Sequence, residues 1–213
     1  EPQVSITVAM GGMPVVGFPG PGIEALQLPP VKAGREGFSA LEDGNGNPVD
    51  DAFRNARAAA LLESFRERKP DVLIVEAFPF ARRVMRFELL PLLEEARRGS
   101  PKPIVASSVR DILQAITKPG RAEEAVQTIE DFFDLILVHG DPSFASFAES
   151  FPLAGSITRA IRHTGLVAGP KPQPPSDRYD VIISAGGGAA GSALVEAAAA
   201  MATDLPRDLR LCL

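Results

Sequence analysis

Short apolar runs separated by turn-forming residues dominate the chain. Residues 71–76 (DVLIVE), 104–107 (IVAS) and 135–139 (LILVH) are short and largely apolar. Runs of that kind suit strands buried on both faces of a parallel sheet. Residues 4–9 (VSITVA), 25–28 and 161–167 read as further strands, each closed by glycine or proline. Between them the spacing predicts helices. One runs from 50 or 51 to 68, started by Asp50 or Asp51 and stopped at Lys69–Pro70, with Phe53, Ala56, Ala60, Leu61 and Phe65 mostly on one face. A second covers 83–98, with Pro91 kinking or restarting it. Others are expected at 109–115, 122–133 and 144–149. Residues 31–48 are polar and turn-forming, and read as a long loop of the functional or mobile kind.

Strands alternating with helices imply right-handed crossovers. The fold class is therefore α/β, a Rossmann-like, doubly wound parallel sheet with flanking helices. Residues 168–177 (AGPKPQPPSD) hold four prolines and suit an extended linker rather than a packed element. Beyond it, residues 178–213 read as a strand, a glycine-rich turn, an alanine-rich helix and the start of a strand at 209–213. One such unit does not bury a core by itself. The expectation is an N-terminal domain at 1–167, a linker, and the beginning of a second domain, in a chain incomplete at both ends.

Composition narrows the function classes. The formal net charge is -5, which argues against nucleic-acid binding through bulk positive charge. With no Trp and one Tyr, a platform for stacking bases is not expected. A single cysteine, Cys212, excludes an intrachain disulfide and fits a reducing, cytoplasmic setting. No apolar run reaches the ~18 residues of a membrane span. The 20 prolines and 19 glycines are many, but the apolar content of 45% is ordinary, so the pattern is many turns rather than disorder.

Ligands of open α/β sheets bind at the carboxyl ends of the strands. The first such end carries Glu76, followed by Arg82 and Arg83. Guanidinium groups beside a cleft bind phosphate or carboxylate, although ordinary ion pairs explain them equally well. The second carries Ser108, Arg110 and Asp111. Ser108 and Asp111 have the spacing of a reciprocal helix cap. Arg110 opposes a helix dipole there and calls for an anionic partner: Asp111, Glu76 or a ligand. The third carries His139, placed as a general base would be, with Asp141 near enough in sequence to orient it. The competing reading is a histidine that closes a turn. His163, the second of two histidines, lies in a strand and reads as structural. Arg82–Arg98 also contains Glu88, Glu94 and Glu95, which reads as a mixed-charge surface.

Residues 184–191 (SAGGGAAG) lead from a strand into a helix. Free amides around Gly186, Gly187 and Gly188, together with the helix dipole, suit a phosphate; a ligand-free tight turn is the alternative. The Lys-Ser/Thr of a P-loop is missing. Gly186, Gly188 and Gly191 match GxGxxG, but no acidic residue ends a following strand, which disfavours a dinucleotide. Two histidines and one distant cysteine do not make a zinc set, and no GxSxG elbow is present.

The ordered segments PDVLIVEAFPFARR, SSVRDIL, DLILVHGDPSF and VIISAGGGAAG resemble a bacterial family of predicted glycosyltransferases related to family 28, the MurG-like enzymes. The resemblance implies a GT-B fold of two Rossmann-like domains and transfer of a hexosyl group from a nucleotide sugar, UDP-linked, with no metal and no further cofactor. It implies a donor diphosphate at Gly186, Gly187 and Gly188. The unidentified acceptor would face Glu76, Arg82, Arg83, Arg110, His139 and Asp141, with His139, Asp141 and Glu76 as candidate catalytic groups. A lipid acceptor would entail peripheral membrane contact. The chain departs from the pattern at Ala81, where glycine is expected, and at His163, where an aromatic is expected. The Gly-His loop that usually opens such proteins and the ribose-binding carboxylate are not in this sequence, so the segment alone is not expected to be a competent catalyst. A GT-B nucleotide-sugar epimerase and a non-catalytic binding half remain the alternatives.

Overall fold

The computed structural model describes residues 4–34, 37–169, 171, 173–174, 177–184, 191–202, 206 and 209–212, with 37–39 and 192 described by their backbone alone. The chain forms two compact units, residues 1–167 and 168–213.

The first unit opens with two short parallel strands, β1 (Thr7–Met10) and β2 (Glu24–Gln27). An antiparallel pair follows, β3 (Val31–Gly34) and β4 (Gly37–Asp43). This pair replaces the long loop expected at 31–48. The turn-rich run at 43–48 follows β4, where Asp43 Oδ1 accepts from the backbone amides of Asn45 and Asn47 at 2.9 and 2.8 Å. Alternation is weak in β3 and β4, so pairing rather than periodicity defines them.

Helix α1 (Asp51–Arg68) starts where the Asp50 carboxylate accepts from Phe53 N, 2.8 Å away, and ends at Lys69 in the left-handed region, φ 46°. Its buried residues are Arg57, Leu61 and Ser64; of the expected face Leu61 is buried, Ala60 and Phe65 pack partly buried against the same cluster, and Ala56 is exposed.

The main sheet is fully parallel, in the order β5 (Val72–Glu76), β6 (Ile104–Arg110), β7 (Leu135–His139), β8 (Ala160–His163). The crossovers carry α2 (Arg86–Arg98), α3 (Arg121–Phe132) and the short α4 (Phe147–Ser150). Pro91 lies inside α2 without ending it. Right-handed crossovers that always step in one direction put every helix on the same face. The packing agrees: Leu93 and Ala96 of α2, Ala125 and Ile129 of α3 and Phe147 of α4 share one cluster with Val75, Val105, Val109, Ile136 and Val138. Phe80 closes that cluster edge-on to Phe147 and Phe151, with ring centroids 5.4 and 4.9 Å apart.

The sheet is not doubly wound among the described strands, because the strand order never reverses. On its other face Val72, Ile74 and Ile104 remain about half exposed, at 49%, 57% and 52%. The helix expected at 109–115 does not form. β6 runs on to Arg110, because Val109 pairs with Val138 and is buried, 2% exposed, on the helix-covered face. The helix expected at 144–149 is shifted to Phe147–Ser150, and a reciprocal cap forms there, between Ser146 and Glu149.

The second unit contains β9 (Val181–Ile182), α5 (Ser192–Met201) and β10 (Leu211–Cys212), with β9 and β10 parallel. The Arg210 guanidinium lies 5.3 Å from the Tyr179 ring centroid and 3.3 Å from Asp177 Oδ1. No helix or strand falls between 168 and 177 among the described residues. Gly186, Gly187 and Gly188 lie outside the described residues. Among the described residues no helix is long and apolar enough to cross a membrane.

Candidate functional site at the carboxyl edge of the parallel sheet

In-register neighbours of a parallel pair point to the same face, and side chains alternate along each strand. Glu76 stands opposite Ser108, and Arg110 opposite His139. Ser108 and Arg110 are two residues apart. Glu76, Ser108, Arg110 and His139 therefore share one face, the one the helices leave uncovered. The intervening Val75, Ser107, Val109 and Val138 are buried on the helix side. One strand segment thus serves both the core and the site by alternation alone.

A hydrogen-bonded line crosses three strand ends. Ser108 Oγ lies 2.7 Å from His139 Nε2, and Thr164 Oγ1 lies 2.8 Å from His139 Nδ1. Thr164 sits just past β8, in step with His139, because Val138 is paired with His163. Both imidazole nitrogens are therefore held by hydroxyls. Asp141 does not orient the ring. Its Oδ1 accepts from the hydroxyl and amide of Ser143 at 2.7 and 2.8 Å, closing the turn after β7. Those bonds, Ser143's hydroxyl first, lower the Asp141 pKa.

The loop after β5 is built with strain. Ala77 and Arg82 both occupy the left-handed region, φ 62° and 57°. The main chain is fixed by Ala77 N donating to Ser108 O at 2.8 Å and by the buried Ser107 hydroxyl donating to Phe78 O at 2.8 Å. Phe78 and Phe80 enter the core. Glu76 and Arg82 face solvent, with Arg82 Nη2 3.9 Å from Glu76 Oε2. Arg83 and Arg86 both clamp Glu124 of α3, so Arg83 is occupied structurally. The Arg83 hydrogen bond leads the causes that lower the Glu124 pKa.

Arg110 is exposed, and no carboxylate lies within ion-pair distance of it among the described residues. Asp111 turns its Oδ1 to Ile112 N, 2.9 Å away, rather than to a helix N-terminus or to Arg110. Gly140 is buried against the Asp111 side chain, which occupies the space a Cβ would need. Ser150 Oγ donates to Asp111 O at 2.9 Å and ties the loop to α4. A shallow groove of about 340 Å³ adjoins this loop, lined by Ile112, Leu113, Ala145, Glu149 and Ser150. A second groove, about 570 Å³ along the outside of α1, lies on Leu62, Glu63 and Arg66, none of them a site residue.

Glu76, Arg82, Arg110 and His139 thus meet at one edge, whereas Asp141 and Arg83 are engaged elsewhere. Ser108 and Thr164 are the members that sequence reasoning assigned to other roles or passed over. The available signal was position: each is a hydroxyl at or just past a strand end. Among the described residues no three His, Cys, Asp or Glu side chains converge as metal ligands would. No family model, curated protein or solved structure matches the chain.

Proposed function

We propose that residues 1–167 belong to the acceptor-side domain, and residues 178–213 to the donor-side domain, of a GT-B glycosyltransferase. The reaction is transfer of a hexosyl group from a nucleotide sugar, UDP-linked, to a hydroxyl acceptor. The observation that carries this reading is His139. Its ring is clamped between Ser108 and Thr164 at the carboxyl edge of a parallel sheet, one strand from the unpaired Arg110. A histidine held in that place can take a proton from an attacking hydroxyl. Arg110 supplies positive charge where a phosphate or carboxylate of the reactants would sit. By the sequence resemblance the donor diphosphate would lie at Gly186, Gly187 and Gly188, which are outside the described residues. The sequence resemblance supplies the choice of sugar transfer among the reactions such an edge could serve.

The test is release of nucleoside diphosphate from a panel of UDP-hexoses by the full-length protein, offered a mixture of hydroxyl acceptors. His139→Gln is expected to lower turnover about a hundredfold or more with little change in donor affinity. Unchanged turnover would remove His139 from the mechanism. Interconversion of the donor sugar without release would identify an epimerase, and donor binding without either reaction would identify a binding half.

A further inference from the structure

We infer that Thr164 is a positioning residue that holds His139 as the Nδ1–H tautomer, so that Nε2 draws its proton through the Ser108 hydroxyl. The inference rests on the reading of His139 as a base, and it assigns direction to the line of hydrogen bonds.

The direction is assigned from the acceptors around the Thr164 hydroxyl. A threonine hydroxyl has one proton to donate. Thr164 Oγ1 lies 3.1 Å from Gly165 O and 3.4 Å from Val138 O. Carbonyl oxygens only accept, so a bond from Thr164 to Gly165 O uses the hydroxyl proton, and we place it there. The lone pair of Oγ1 then faces Nδ1 at 2.8 Å, and a bond there requires Nδ1–H to donate. In a neutral imidazole the other nitrogen must be the acceptor. Nε2 therefore accepts from the Ser108 hydroxyl, 2.7 Å away. An isolated histidine in water favours the opposite tautomer, so the arrangement is imposed by its surroundings.

Ser108 is placed to carry the proton. Its backbone carbonyl is held by Ala77 N at 2.8 Å, while its hydroxyl makes the single bond to His139. In the transfer step the acceptor hydroxyl gives its proton to Ser108 Oγ as Ser108 passes its own to Nε2. The acceptor oxygen forms a bond to the anomeric carbon. The bond from that carbon to the diphosphate oxygen breaks, and its electron pair leaves with the nucleotide. The imidazolium left behind still donates from Nδ1 to Thr164, so the positive charge stays hydrogen-bonded.

The tautomer can be read without any activity. The chain has two histidines, so His163→Gln leaves His139 as the sole imidazole. In uniformly ¹⁵N-labelled protein above the histidine titration, long-range proton–nitrogen spectra should show a pyrrole-type Nδ1 and a pyridine-type Nε2. Thr164→Val should shift the ring to the Nε2–H form, and Thr164→Ser should restore the original pattern. An Nε2–H ring in the Thr164-containing protein, or a pattern indifferent to Thr164→Val, overturns the inference. Where transfer is measured, Thr164→Val should lower kcat about tenfold or more at unchanged donor KM, with rescue by Thr164→Ser. An Nδ1–H ring in a protein that transfers no sugar overturns the transferase reading and leaves the assignment of the tautomer to Thr164 standing.

Discussion

The core of the parallel sheet and the layer beside it are held together by different physics. Under the sheet, Phe133, Ile129, Ile136, Val105 and Val138 are fully buried. That region is stabilised by area removed from water, about 25 cal/mol per Å², with no required direction. Beside it, β1, β2, α1 and α2 meet around a small apolar cluster of Leu28, Leu61 and Leu92. There the centre is an ion pair. Arg57 is 1% exposed and Glu88 is 3% exposed. The Arg57 guanidinium donates to Glu88 through Nε and, at 3.1 Å, through Nη2. Nη1 donates to Gly11 O at 3.0 Å and to Pro29 O. One side chain thus ties α1 to α2 and to the turns that flank β1 and β3. The first region tolerates changes of detail that conserve volume. The second depends on every donor and acceptor being present, because an unpaired buried charge is costly.

The largest expected effect breaks this network. Arg57→Ala should cost about 3–5 kcal/mol, since it strands the Glu88 carboxylate and the Pro29 carbonyl, while Gly11 O keeps its bond from Val31 N at 3.0 Å. The combination Arg57→Met with Glu88→Leu should recover much of that loss, leaving about 1–3 kcal/mol for the orphaned Pro29 oxygen. Urea denaturation reads both. If the double variant is as unstable as the single, the charge is not what matters there.

An intermediate effect sharpens the other side of the comparison. Ile136→Val removes one buried methyl group from the fully packed sheet core and should cost about 0.5–1.5 kcal/mol, with unchanged His139 spectra. A loss as large as that of Arg57→Ala would mean that the sheet core is the more exacting region.

The smallest effect is electrostatic and exposed. Glu124, clamped by Arg83 first and then Arg86, has a pKa below its ordinary value of 4.5. A carboxylate with a depressed folded-state pKa contributes stability that is complete above the unfolded value. That contribution is lost as pH falls through the folded value. Glu124→Gln should therefore lower stability slightly at neutral pH, and the difference from the parent should begin to shrink as pH falls below about 4.5 and vanish once it is below the lowered folded-state value. A gap that persists at low pH would point to packing rather than charge.

Legibility tracked the range of the interaction involved. The runs at 72–76, 104–107 and 135–139 are strands because several consecutive residues repeat one local preference. α1 was legible from its Asp50 cap, its apolar positions and the stop at Lys69–Pro70, and α3 lies within a residue of the range expected for it. β3 and β4 were not, since their pairing is decided across the turn and their polarity hides it. The extension of β6 to Arg110 was decided by partners in β7, which overrode the capping pattern of Ser108 and Asp111. Glu88 illustrates the same limit: with Glu94 and Glu95 it has the appearance of a charged surface, and only the approach of α1 buries it.

The candidate site divides in the same way. That Glu76 and His139 stand at strand ends follows from the order of short apolar runs, whereas Arg110 joins them only because β6 runs on to it beside β7. That His139 is held by Ser108 and Thr164 rather than Asp141, and that Arg83 is spent on Glu124, was decided by register and by helix packing. A strand end can be located from its own residues, whereas a hydrogen-bond partner is chosen by distances of a few ångströms between segments 25 to 41 residues apart.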